Sequence, residues 1–162
     1  MRVGILTVSD ACSRGERVDA SGQLLEEWCR EEGHEMALRN VVPDQTELIV
    51  STLLQWADGG KVDLIVTTGG TGFGPRDVTP EATQAILDRP DPGVVEAIRR
   101  KGEAKTPYAA LSRGLAGTRG CVFIANLPGS PGGVRDGLEV LGPLAGHLVG
   151  LLKAQDTPHR QS

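Results

Sequence analysis

The chain has 162 residues, a formal charge of −4, five aromatic residues, 22 Gly and 10 Pro. Gly plus Pro make up about a fifth of it, above the roughly 12% of average proteins but short of the roughly 25–30% of low-complexity chains. A packed single domain is expected, while the acidic balance and few aromatics exclude a nucleic-acid surface, and no apolar run approaches the ~18 residues of a membrane span.

Residues 3–8 (VGILTV) form a short β-branched run without signal-peptide layout, so a buried first strand is expected there. Residues 10–20 are polar, contain Gly15 and read as a loop. Ser21 is the expected N-cap of a helix over 23–31, which carries Leu24, Leu25 and Trp28 and ends at Gly33. Residues 35–42 read as a second strand, stopped by Pro43-Asp44. Leu48, Ile49, Leu53, Leu54 and Trp56 give 46–57 a helical period, and 62–67 (VDLIVT) read as a third strand. A glycine-rich loop follows over 69–75. Thr79-Pro80-Glu81 then opens a helix with Thr79 as cap and Pro80 in the first turn.

Pro92 starts the next helix, through Val94, Val95 and Ile98. Residues 115–125 suggest a small β-hairpin turning near Arg119-Gly120, and 126–133 a second Gly/Pro loop. From Val134 the pattern is helical, with a break expected at Gly142-Pro143 and a polar tail over 155–162. Alternating strands and helices give an α/β three-layer sandwich around a mostly parallel sheet, as one domain over 1–154. Ligands of such folds sit beyond the carboxyl ends of the strands. The loops after Val8, Val42, Thr67 and Ala125 all lie there.

The sharpest segment is TTGGTGFGPRDVTPE over 67–81. Its glycines let backbone approach a ligand, and successive N–H groups in such a loop bind anions. It is neither a Walker A loop, since Pro75-Arg76 replace Lys-Ser/Thr, nor a dinucleotide fingerprint, since Pro75 replaces the third glycine. The plain alternative is a strand-to-helix turn that merely needs glycine. Asp10, Asp44 and Asp77 follow strand ends or the glycine loop. Mg²⁺ takes one or two carboxylates plus phosphate oxygens and water, which such residues can supply; taken singly, each is equally an ordinary turn or cap residue. Ser112-Arg113 can bind an anion or cap a turn. Arg99, Arg100 and Lys101 read as a solvated helix face, and His147 as packing. Cys12, Cys29 and Cys121 are dispersed and form no C-x-x-C pair, as in reducing cytoplasm.

Thr68-Gly69-Gly70-Thr71-Gly72 with Arg76-Asp77-Val78-Thr79-Pro80-Glu81 resembles the signature of the molybdopterin adenylyltransferases, which are related to the G domain of gephyrin. Thr7-Val8-Ser9-Asp10, Asp19-Ala20-Ser21-Gly22, Val42-Pro43-Asp44, Leu111-Ser112-Arg113 and Leu127-Pro128-Gly129-Ser130-Pro131 match in the same order, so the likeness covers about residues 3–152. The resemblance implies a homotrimer. It also implies Mg²⁺-dependent transfer of AMP from ATP to the terminal phosphate of molybdopterin, and delivery to a molybdate-insertion protein. It makes Asp44 and Asp77 the catalytic and Mg²⁺-organising residues. Thr68, Gly69, Gly70, Thr71 and Gly72 become a phosphate cradle, Ser112 a pterin contact, and Pro128, Gly129 and Ser130 the nucleotide side. Ser9, Asp10 and Arg76 are additional candidates. The alternative from another class is a non-catalytic module that stores or delivers the pterin. Both readings use the glycine loops, but a mere phosphate binder gains little from carboxylates facing an anion.

Overall fold

Seven residues, Arg2–Val8, form strand β1 in the computed structural model of the chain, which describes residues 1–154. The expected tail over 155–162 lies outside the described residues. β1 is buried on both faces from Val3 onward, as parallel strands covered by helices are. Strands β2 (Glu35–Val42) and β3 (Leu64–Thr68) flank it, both parallel. Strand β6 (Val122–Leu127) pairs parallel with β3. Strand β5 (Ala116–Arg119) turns back antiparallel on β6 as the expected hairpin, and the two-residue β4 (Arg89–Pro90), unread in the sequence, pairs antiparallel with β5. The order is β2-β1-β3-β6-β5-β4.

Helices cover both faces, as the three-layer expectation requires. Helix α2 (Ala20–Glu31), α5 (Pro92–Glu103) and α6 (Pro131–Ala154) pack one core with Leu25, Val95, Ile98 and Leu141 against Phe123 and Val66. Helix α3 (Thr46–Asp58) and α4 (Thr79–Gln84) pack the other, with Ile49, Leu53 and Ala82 against Leu6, Ile65 and Ile124. The register aligns Val8 with Val42, Thr7 with Thr68, and Thr68 with Leu127. Four carboxyl ends therefore open side by side. The chain leaves β1 toward β2 and returns on its other side as β3, so the sheet's switch point lies between Val8 and Thr68.

Several local expectations need correction. Residues 10–20 are not all loop: the Ser9 side chain accepts from the Cys12 N–H and closes a one-turn helix α1, Asp10–Ser13. Asp19, not Ser21, caps α2, accepting from the Gly22 N–H. Thr79 is not a cap; it lies inside α4 and gives its hydroxyl to the Gly69 carbonyl. The second Gly/Pro loop is only 128–130, because β6 runs through Leu127 and α6 begins at Pro131. His147 is exposed on α6 and packs no core.

Nor does α6 break at Pro143, which stands inside it. An internal proline costs about 3 kcal/mol. Burial of Val134, Leu141, Val149 and Leu152 on one face offsets this, at roughly 1.5–3 kcal/mol for each large side chain. No helix among the described residues is long and apolar enough to cross a membrane.

At the opposite end of the sheet, Asp63 is 3% exposed and binds the Arg2 guanidinium and backbone N–H, with Lys153 of α6 beside it. Burial raises its pKa, but the bonds from Arg2 and Lys153 outweigh burial and bring it down to about 2. A depressed carboxylate contributes stability above its unfolded value, near 3.8, which is lost as pH falls through about 2. In urea unfolding, wild type should exceed Asp63→Asn by about 2 kcal/mol at neutral pH, with the gap closing toward pH ~2. A gap that stays constant over that window would remove Asp63 from the acid response.

Candidate active site

Gly69 ends β3 in a conformation that few side chains adopt, with φ +100°, and a Cβ there would lie 2.2 Å from the Val8 carbonyl oxygen. Gly70 follows with φ +67°; its Cβ would meet the Thr79 hydroxyl at 2.4 Å and an Asp44 oxygen at 3.1 Å. The loop thus lies flat across the end of β1, with Asp44 against it. The Thr79 N–H donates to the Gly70 carbonyl, adding to its hydroxyl bond with Gly69. On the outer side Arg113 donates to the Gly72 and Asp77 carbonyls, pairs with Glu81 and lies over the Phe73 ring. Arg113 is a clamp on the loop, committed to protein partners.

Asp10 and Asp44 bind each other's backbone. The Asp10 N–H donates to Asp44 Oδ2 at 2.8 Å, and the Asp44 N–H to Asp10 Oδ1 at 3.0 Å. Arg76 makes two bonds to the Asp10 carboxylate, each of 3.0 Å, and holds its pKa below the ordinary value. Burial raises the pKa of Asp44, and the charges of Asp10 and Asp77 push it the same way. Asp77 Oδ2 accepts from the Gly74 N–H. Half-buried Asp44 and Asp77 border one cleft of about 670 Å³.

That cleft also gathers Ser9, Cys12, Ser21, Thr68, Gly69, Gly70, Gly129 and Ser130. Two hydroxyls fix its far wall. Thr68 Oγ1 donates to the Pro128 carbonyl and Ser21 Oγ to the Gly129 carbonyl, both at 2.7 Å. Ser130 then opens α6, its Oγ accepting from the Gly133 N–H and its carbonyl from the Val134 N–H. The positive end of a 24-residue helix faces this region. Glycine amides, a helix start and carboxylates that repel one another suit a polyphosphate bound with a divalent cation. Among the described residues no cluster of three or more His, Cys, Asp or Glu side chains could hold a metal alone. Asp44 and Asp77 could supply two carboxylates to a divalent cation whose other ligands came from a bound phosphate and water.

A second pocket of about 290 Å³ adjoins the first across Ser130 and lies between α5, α6 and the 3-10 turn Pro107–Leu111. Ser112, Pro128 and Ser130 line it, with Tyr108, Lys105 and Asp136. The expected residues thus divide between two joined clefts. Thr71 and Gly72 line neither; buried Thr71 instead accepts the Arg113 N–H on its carbonyl and meets the Ser112 hydroxyl at 3.5 Å. Asp10 and Arg76 stand behind Asp44 as its support. A further cavity of about 680 Å³, between α2 and α6, contains none of the expected residues.

Sequence reasoning missed the contacts of Ser21 and Asn126 and the burial of Asp136 at the wall of the smaller pocket. Asn126 is buried in an otherwise apolar strand, donates to Thr67 and Thr83 hydroxyls and accepts from the Leu115 N–H. An amide inside VFIANL was a signal that could have found it. Cys29 is buried, which raises its thiol to about 11, and no disulfide joins the three cysteines.

Residues 4–147 match the family described as a probable molybdopterin binding domain. The crystal structure of the molybdopterin biosynthesis enzyme MoaB from Thermus thermophilus is 50% identical and superposes with a TM-score of 0.88, covering 94% of this chain and 96% of that one. The molybdopterin adenylyltransferase of Helicobacter pylori is 37% identical, covering 94% of this chain and 88% of its own length. The molybdenum cofactor synthesis protein cinnamon of Drosophila melanogaster is 41% identical over 92% of this chain, which spans only 25% of that longer protein.

Gly69→Ala should destabilise the fold by about 3 kcal/mol in urea unfolding, from the clash with the Val8 carbonyl plus the unfavourable φ. A loss below about 1 kcal/mol would mean that the end of β1 gives way to a methyl group.

Proposed function

The chain belongs to the probable molybdopterin binding domain family, and from that footing we propose that its two joined clefts transfer AMP from ATP to molybdopterin. It is an enzyme of molybdenum cofactor biosynthesis, a molybdopterin adenylyltransferase, as its relative from Helicobacter pylori is named. One observation carries the detailed reading. A cleft with paired carboxylates and glycine amides meets a second, heterocycle-sized pocket at a single residue, Ser130. Two substrates lying one in each cleft would bring a phosphate of each to that residue.

The ATP polyphosphate is assigned to the larger cleft, along Gly69, Gly70 and the start of α6. The pterin is assigned to the smaller, beside Ser112. A terminal phosphate oxygen of molybdopterin attacks the α-phosphorus of ATP; the new P–O bond forms as the bond to the β-phosphate bridge breaks and pyrophosphate leaves. Little covalent chemistry falls to the protein, so positioning and charge stabilisation carry the rate. Asp44 and Asp77 would hold Mg²⁺, which when bound neutralises phosphate charge. Asp10, fixed by Arg76, keeps the Asp44 backbone in place. The Gly70 amide and the positive end of α6 orient the phosphates without reorganising, while the Gly69 N–H is committed to the Leu127 carbonyl. We assign the enzyme to the cytoplasm. It works as a homotrimer whose product passes to a molybdate-insertion protein.

Molybdopterin, Mg²⁺ and ATP labelled at the α-phosphate should yield labelled pterin product and pyrophosphate. Binding of the pterin with no label transferred would overturn the reaction and leave the storage module. Asp44→Asn and Asp77→Asn should each reduce turnover at least about 100-fold, the scale of losing one preorganised electrostatic contact, with pterin affinity kept within about threefold. Wild-type rates in both variants would remove them from the chemistry.

A further inference from the structure

Asp136 is the acidic residue lining the smaller pocket, and the mechanism leaves it unused. It is 5% exposed, on the face of α6 turned toward α5, and lines the pocket. Its Oδ1 accepts from Lys105, whose own side chain is 59% exposed. Its Oδ2 looks across Gly102, where a Cβ would come no closer than 3.9 Å to it and would strike Ala109 at 2.7 Å. Burying a carboxylate costs several kcal/mol, and one partner in water returns only part of that. As a tie between α6 and the turn after α5 it adds little, because Lys101 of α5 and Glu139 of α6 already form a salt bridge at 2.5 Å. A buried carboxylate with an open oxygen at a pocket wall suits a ligand that brings donors.

We infer that Asp136 selects the 2-amino-4-oxopteridine ring, its carboxylate accepting both the 2-amino and the N3–H protons of the ring edge. The inference rests on the pterin being the occupant of this pocket. The two donors of that edge are spaced like the two oxygens of a carboxylate, and a carboxylate oxygen already bonded to Lys105 retains a second lone pair. Adenine offers its amino group next to a ring acceptor, so one of its two positions would face the carboxylate with a lone pair. Asp136 thereby directs the pterin to the smaller pocket and leaves the adenine nucleotide to the larger. Lys105 holds the carboxylate in place from the pocket wall.

Fluorescence titration of the full-length protein tests this with 6-hydroxymethylpterin, its 3-methyl analogue and the corresponding lumazine, which has a 2-oxo group in place of the 2-amino group. Wild type should bind the pterin at least about tenfold more tightly than either analogue, since a site built for N–H donors rejects ligands lacking them. In Asp136→Asn the preference over lumazine should fall to about twofold or reverse, because an amide donates to the 2-oxo group. Lys105→Met breaks the same ion pair but keeps the carboxylate, and should retain the preference. A structural staple would instead weaken all three ligands equally in both variants. The comparison within wild type needs no altered fold. Equal affinity for pterin and lumazine there, failure to bind any probe at about 1 mM, or an undiminished preference in Asp136→Asn would each overturn the assignment. AMP transfer is measured separately: its absence alongside an intact pterin preference overturns the reaction and upholds the role of Asp136.

Discussion

The missing side chain of Gly69 against the Val8 carbonyl is the constraint on which the site depends. No side chain fits in a gap of 2.2 Å to a backbone oxygen, so β3 can end against β1 only with glycine there. Gly129 then approaches the same spot, its Cβ position 3.2 Å from the Gly69 Cα. The Thr79 hydroxyl reaches Gly69 from α4. Loops from β1, β3 and β6 thereby meet at one bare backbone point. The aligned register of the parallel strands brings them there, and glycine lets them touch.

Charge is arranged around that point in an order that lets an acidic protein offer a site to an anion. Positive character comes from backbone amides, the start of α6 and Arg17 at the cleft wall, while Arg76 and Arg113 are occupied in fixing Asp10 and the glycine loop. Asp44 sits under the strain of burial and of Asp10 and Asp77 nearby. Under the proposed function a divalent cation would relieve that repulsion while binding phosphate, so substrate and metal would favour each other's binding.

Much of this was legible in the chain. The run VGILTV has no polar face because both faces of β1 are covered, a pattern that marks a parallel sheet in the sequence itself. The aspartates and glycine loops after successive strands could be placed at one sheet edge from topology alone. Other features were hidden by competition between equivalent signals. Asp19 and Ser21 are both good caps, and only the fold shows that Ser21 spends its hydroxyl on Gly129, far along the chain. Pro143 breaks helices on local grounds, whereas α6 persists through burial of one face. Asp136 looked like any charged helix residue, because its burial comes from α5 packing across it.

The length of α6 has a consequence for how the protein responds to its surroundings. The helix starts at the phosphate loop and ends with Lys153 beside Asp63, at the other end of the sheet. Its 24 residues span about 36 Å. The attraction for an anion at its start comes from peptide groups, which neither gain nor lose protons between mildly acidic and mildly alkaline conditions. Acylation of lysines or modification of histidines leaves it untouched as well. The main chain's share in attracting an anion there is therefore set when the domain folds and does not change with the state of any side chain.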